Sequence, residues 1–188
     1  MGEVIKIIGS SAHTEDEREL NDYYATDPKA LRDFLSVYNG LSTSIWEPAC
    51  GEGNLSKTLE DNGYSVFSTD LIDRGYGSQF NFLNAPEGLR WCGDILTNPP
   101  YKVSEQFVRK ALNLVDDGSK VVMLFKLQFV ESQKREKLFT DYPIKYIYVH
   151  RRRIGIWKNN KQSGSQALCY AWFVWEKGFS GDTIMRWI

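Results

Sequence analysis

Ser44-Ile45-Trp46-Glu47-Pro48-Ala49-Cys50-Gly51-Glu52-Gly53-Asn54 decides how the chain is read. A short apolar run, Ser44-Ile45-Trp46, stops at a turn containing Gly51 and Gly53, and the pattern then becomes helical from Gly53 to Asp61, where Asn62-Gly63 ends it. Strand, glycine turn and helix in that order open a βαβ unit. Gly51 and Gly53 allow a tight turn and close approach of the backbone, and the helix N-terminus offers free N–H groups to an anionic group such as a carboxylate. A lone G-x-G is common. Ser56 stands where G-x-G-x-x-G has its third glycine, which argues against a dinucleotide with a pyrophosphate to accommodate.

The alternation continues on both sides. Upstream, Asp27-Pro28 reads as an N-cap followed by proline at the first helical position, with Ala30, Leu31, Phe34, Leu35 and Tyr38 on one face and a stop near Asn39-Gly40. Downstream, Tyr64 to Leu71 is a strand, Ile72 to Gly93 an irregular stretch, Ile95-Leu96-Thr97 a buried strand and Ser104 to Val115 a helix. Val121 to Phe125, Tyr146 to Val149 and Leu168 to Trp175 are further strands, with a helix at Ser132 to Phe139. Continuous apolar strands between helices predict an α/β fold with a mostly parallel sheet covered on both faces. The last two strands, with a loop between them, are expected to form an antiparallel C-terminal hairpin at the sheet edge.

Composition narrows the function. With 42% apolar residues in 188, the chain can bury a core without staples, and one domain is expected. Cys50, Cys92 and Cys169 are odd in number and lack C-x-x-C spacing, so neither disulfides nor a zinc site is predicted and a reducing cytoplasm fits. His13 and His150 are too few for a histidine metal site or triad. No stretch has the apolar length of a membrane span. The net charge of −1 conceals an asymmetry. Tyr142 to Trp175 contains six Lys and Arg and no acid, leaving −7 for the remainder.

In an open α/β sheet, ligands bind beyond the carboxyl ends of the strands. The second strand ends at Asp70, 17 residues after Gly53, where a carboxylate can accept hydrogen bonds from ribose hydroxyls. That geometry serves nicotinamide dinucleotides and S-adenosylmethionine alike. Asp94 to Tyr101, DILTNPPY, is more informative. Pro99 and Pro100 fix φ and remove N–H donors, so acceptors dominate the turn. The Asn98 side-chain oxygen and the Pro99 carbonyl can accept both hydrogens of an NH2 group, with the Tyr101 ring stacked on the flat ring that bears it.

EPACGEG (Glu47, Pro48, Ala49 through Gly51 and Gly53), Asp70 and NPPY (Asn98, Pro99, Pro100, Tyr101) resemble, in that order, the motifs of S-adenosylmethionine-dependent adenine-N6 DNA methyltransferases. DYYATDP, with Tyr24, Ala25, Thr26 and Pro28, resembles the upstream motif that lines the methionine end of the cofactor in that family. The likeness covers roughly residues 15–175 and is strongest to small bacteriophage and prophage members. It implies a Rossmann-like class I methyltransferase fold with a mostly parallel seven-stranded sheet. It also implies S-adenosylmethionine as cofactor, no metal, and a DNA adenine flipped out of the duplex. Asn81-Phe82 falls where the family often has an acid and an aromatic against the cofactor adenine, with Asn81 in place of the acid.

Methyl transfer to nitrogen is an in-line displacement, so positioning dominates and a site without histidine suffices. The acid-free segment supplies expected phosphate contacts in Arg151, Arg152, Arg153, Lys158 and Lys161, with Trp157 as a wedge or stacking residue. Two other functions use the same residues: methyl transfer to RNA or to a protein glutamine, and a catalytically silent nucleic-acid-binding module. Only 87 residues follow Tyr101, so residues 1–188 are expected to be a single catalytic domain, with residues 1–20 an extension and no separate target-recognition domain.

Overall fold

The computed structural model describes residues 24–158 and 168–188, so Lys161 and the N-terminal extension lie outside the described residues. The chain enters with strand β1 (Tyr24–Thr26) and helix α1 (Pro28–Leu35). The Asp27 side chain caps α1 by accepting the Lys29 N–H at 2.8 Å, and Pro28 occupies the first turn, as its sequence predicts. Strand β2 (Ser44–Glu47) runs through the glycine turn into α2 (Asn54–Asp61), and β3 (Ser65–Asp70) returns beside it. The stretch read as irregular holds a two-residue strand, β4 (Ser78–Gln79), and a 3-10 turn at Phe82–Asn84. Then follow β5 (Asp94–Thr97), α3 (Ser104–Leu114), β6 (Lys120–Lys126), α4 (Glu136–Asp141) and β7 (Tyr146–Val149). Three strands complete the chain: β8 (Ile156–Lys158), β9 (Tyr170–Glu176) and β10 (Ile184–Trp187).

Among the described residues the main sheet has eight strands in the order β4-β3-β2-β5-β6-β9-β7-β10, all parallel except β9. This corrects two expectations. The sheet is not seven-stranded, because β10 adds a parallel edge strand beside β7. The antiparallel strand is not at the edge either: β9 lies between β6 and β7 and pairs with both. The physical reason is written in Ala171-Trp172-Phe173-Val174-Trp175, which is apolar on both faces and therefore needs a neighbour on each side as well as cover above and below. Ala171, Phe173 and Trp175 join the core beneath α3 and α4, while Tyr170, Trp172 and Val174 join the core beneath α1 and α2. Trp172 satisfies its indole N–H on the Ala30 carbonyl at 3.1 Å, fixing α1 over this strand.

The loop expected between the last two strands is not structureless. Within it β8 pairs antiparallel with β1 in a separate two-stranded ribbon, with Ala25 opposite Trp157. Strand order reverses between β2 and β5, whose parallel pairing places the carboxyl ends of both at one crevice.

Candidate active site

The crevice begins at Glu47. This side chain is 1% exposed, and its carboxyl accepts the Ser56 hydroxyl, which lies 2.6 Å from the Ser68 hydroxyl. Burial without a cationic partner raises its pKa to about 8, so the group is largely protonated near neutrality. Pro48 is buried behind it, and Ala49 and Cys50 continue the wall. Burial, reinforced by Glu47 and Asp70, raises the Cys50 thiol to about 12, which removes it as a nucleophile at neutral pH.

Gly51 and Gly53 adopt φ of 56° and 83°, and Gly53 is the left-handed N-cap of α2 with no side-chain cap. Any larger residue at Gly53 would be strained, and its Cβ would meet the Tyr76 ring at 2.5 Å. Asp70 holds this turn from the end of β3. One carboxylate oxygen accepts the Gly51 N–H at 2.8 Å and the other accepts the Ile72 N–H at 3.0 Å. Each oxygen retains a second lone pair, so the group expected to receive ribose hydroxyls also has a structural duty.

Asn98 stands across the crevice at the end of β5. Its Nδ2 donates to Thr26 Oγ1 at 2.9 Å, and Asn54 Nδ2 donates to the Thr26 carbonyl at 3.3 Å. Thr26 is itself 3% exposed, so the upstream strand is tied to both motifs. Asn98 Oδ1 is left buried with no hydrogen-bond partner. Such an oxygen costs about 1–3 kcal/mol unless a donor, from water or a ligand, reaches it. Pro99 is buried and Pro100 is exposed at the start of the 3-10 turn Tyr101–Val103.

Tyr101 is surrounded by aromatic rings. Its centroid lies 6.4 Å from that of Tyr24, at 22° between planes, and 6.5 Å from that of Tyr170. Lys126 Nζ stands 5.5 Å from the Tyr101 centroid. The Tyr101 hydroxyl is buried beside the Tyr170 and Asn98 side chains, and burial holds it protonated well above the usual phenol range. Asn54, Lys126 and Tyr170 were missed by sequence reasoning because they lie outside the motifs. Only the end-of-strand position of Lys126 offered a signal.

Tyr24, Ala25, Thr26, Glu47, Ala49 and Asn98 line one pocket, together with Cys50, Asn54 and Leu55. As formed it holds about 10 Å³, so a nucleoside-sized ligand must push its wall outward. Its chemistry nevertheless suits a zwitterionic amino-acid end: an uncapped helix N-terminus, a buried carboxyl lacking a cation, and small side chains at Ala25 and Ala49. Pro28 serves as the first residue of α1 and is not among the pocket walls. Asn81 is exposed and caps the following turn by accepting the Leu83 N–H at 3.2 Å. Phe82 is 2% exposed and packs on Trp46 and Phe107, with centroids 5.2 and 5.0 Å away.

Arg151, Arg152 and Arg153 are exposed just beyond β7. Trp157 is half-buried and its indole lies over Gly155, where an added Cβ would approach it to 2.6 Å, so a wedge role would require it to leave that contact. Lys158 pairs through its backbone with Tyr24. No group of three or more His, Cys, Asp or Glu able to hold a metal occurs among the described residues. No helix among them is long and apolar enough to cross a membrane.

No family model matches the chain, and no curated protein matches it. Solved structures do. A candidate RNA methyltransferase from Pyrococcus horikoshii aligns with a TM-score of 0.57 at 14% identity, covering 81% of this chain and 82% of that one. A predicted O-methyltransferase from Agrobacterium tumefaciens aligns with a TM-score of 0.58 at 12% identity over 86% and 85% of the two chains. The fold is that of class I methyltransferases. The modification subunit of a candidate type I restriction enzyme from Vibrio vulnificus shares it, with a TM-score of 0.58 at 13% identity over 86% of this chain. Only 45% of that longer chain is covered. In the class I methyltransferase fold seen here, the crevice of Glu47, Thr26 and Asn98 lies at the strand-order reversal where such sheets take their ligands.

Proposed function

We propose that the protein transfers a methyl group from S-adenosylmethionine to the N6 amine of adenine in DNA. One observation carries this reading: Asn98 Oδ1 is a buried, unpartnered acceptor, and the Thr26 hydroxyl holds the amide in the orientation that presents it. An adenine amine offers two hydrogens. One goes to Asn98 Oδ1 and the other to the Pro99 carbonyl, which favours a pyramidal nitrogen and stabilises the positive charge developing there. Tyr101 supplies the stacking surface for the flipped base. Gly51, Gly53, Asp70, Glu47 and Thr26 would hold S-adenosylmethionine, whose sulfonium supplies an activated methyl group. Its ammonium would give the buried Glu47 carboxyl the cation it lacks. No side chain need act as a strong base, because the amine proton can leave after attack.

DNA is favoured as substrate by the resemblance of the ordered motifs and by the fold shared with the restriction-enzyme modification subunit from Vibrio vulnificus. The candidate RNA methyltransferase from Pyrococcus horikoshii keeps RNA as the second reading. Incubation with labelled S-adenosylmethionine and a panel of duplex DNA, ribosomal RNA and a glutamine-containing release-factor protein separates them. The expected result is N6-methyladenine in the DNA digest, lost with Asn98→Ala while cofactor binding persists. Label confined to RNA or protein, or absent everywhere, would overturn the proposal.

A further inference from the structure

Strand direction divides the charge of the C-terminal part between the two edges of the sheet. β7 and β10 are parallel, so both end on the edge where Asp70 and Asn98 lie. β9 runs the other way and delivers Glu176 to the opposite edge, where Lys145 Nζ meets it at 2.8 Å and Lys120 Nζ at 3.8 Å. Asp182, preceding β10, also belongs to that opposite end. Of the charges carried by the C-terminal strands, the carboxyl edge therefore keeps the arginines, while Glu176 and Asp182 lie at the other end.

The last strand contributes to that edge directly. The Ile188 N–H donates to the Val149 carbonyl at 2.9 Å, and the Arg151 N–H donates to a terminal oxygen of Ile188 at 2.8 Å. This fastens Arg151 beside Arg186 and Trp187. The Arg186 guanidinium lies 5.5 Å from the Tyr146 ring centroid. Among the described residues, Arg151, Arg152 and Arg186 have no carboxylate within salt-bridge distance. Asp33, which faces the neighbouring His150, is held by Lys29 at the other end of α1. Trp187 is 59% exposed, an unusual position for an indole, and with Arg151, Met185 and Arg186 it lines a shallow concavity of about 500 Å³. Exposed cations flanking an exposed ring, with no Asp or Glu paired to them, match a phosphate backbone with its sugars and bases.

We infer that the carboxyl end of β10, with Arg151 and Arg152, is a backbone-contact surface for duplex DNA on the same sheet edge as the target pocket, four strands along from β5. Arg151, Arg152 and Arg186 engage phosphates, and Trp187 packs on the adjoining nucleotide. The inference rests on DNA being the substrate, and it adds residues from a strand outside the motif-bearing part of the chain.

The test is titration of a fluorescent duplex of about 20 base pairs with the full chain from about 50 to 200 mM salt. Wild type is compared with Arg151→Ala, Arg186→Ala, Arg186→Lys and Trp187→Ala, each checked for unchanged cofactor binding and melting. Each Arg→Ala variant is expected to reduce the slope of log affinity against log salt by about 0.9 and to weaken binding several-fold. Arg186→Lys should retain the slope, and Trp187→Ala should weaken binding without changing it. If wild type binds and methylates DNA while both Arg→Ala variants keep its slope, this surface is not the contact, although the substrate reading stands. If wild type does not bind DNA at all, both fail. A wild-type dimer that Trp187→Ala dissociates, with unchanged DNA slope, would assign the edge to self-association and overturn the inference.

Discussion

The Asn98 side-chain amide donates to the Thr26 hydroxyl at 2.9 Å across 72 residues of sequence. The bond settles which end of the amide faces the pocket: nitrogen toward β1, oxygen toward the crevice. Removing it should therefore damage orientation more than binding. Thr26→Val, which keeps the shape and deletes the hydroxyl, is expected to lower kcat on the order of 10- to 100-fold, with a much smaller change in cofactor affinity. Thr26→Ser should restore most of the loss. Steady-state kinetics and calorimetry on the three proteins check this, and an unaffected kcat in Thr26→Val would remove Thr26 from the positioning role.

Glu47 gives a pH signature. Its pKa is raised to about 8 in the folded chain from about 4.5 when exposed, so the native state binds more protons than the unfolded state between those values. Its contribution to stability is thus fully present at low pH and is lost as pH rises through that window, at about 1.4 kcal/mol per unit. Glu47→Gln should flatten this loss and raise the melting temperature at pH 8. It should also weaken binding of a ligand carrying an ammonium. Calorimetry below pH 8 in buffers of different ionisation heat should detect proton release when such a ligand binds wild type but not Glu47→Gln.

His150 acts with the opposite sign. It is 6% exposed, Nε2 has no hydrogen-bond partner, and burial lowers its pKa to about 4 from 6.5 despite Asp33 nearby, with Lys29 adding to the lowering. The unfolded chain then binds the extra proton, so stability falls as pH drops from 6.5 towards 4. His150→Phe should remove that acid limb, measured by urea denaturation at pH 7 and pH 5. Between 6.5 and 8 only the Glu47 slope of this pair remains.

Asp94 is a staple away from the site. At 1% exposure its carboxylate accepts the Ser42 and Lys120 N–H groups, both at 2.7 Å, joining the entries to β2 and β6 at the amino end of β5. Asp94→Ala leaves two donors unsatisfied and should cost about 2–4 kcal/mol in chemical denaturation. The orientation of Asn98 at the far end of the strand should be preserved, so kcat below the melting transition should change less than twofold.

Local chemistry was legible without the structure. Proline after aspartate starts α1, two glycines turn β2 into α2, and consecutive prolines end β5 at Asn98, because each sets its own dihedral angles regardless of distant partners. Burial on both faces could also be read from the apolar run at Ala171, but its neighbours could not. Strand order, the β1–β8 ribbon and the edge position of β10 depend on pairings between residues far apart in sequence, and side-chain periodicity carries no address for a partner.

Residue order is enough for the α/β alternation, the two turns facing the crevice and the run of cations after β7. What each residue meets there comes from the packing of distant elements. It turned Asn98 Oδ1 into an acceptor without a donor, spent the Asp70 oxygens partly on backbone N–H groups and buried Phe82 in the core. It also brought Arg186 and Trp187 beside Arg151. The reason is physical: a residue's type fixes the hydrogen bonds and contacts it can make, whereas the packing of strands and helices fixes which of them remain unmet.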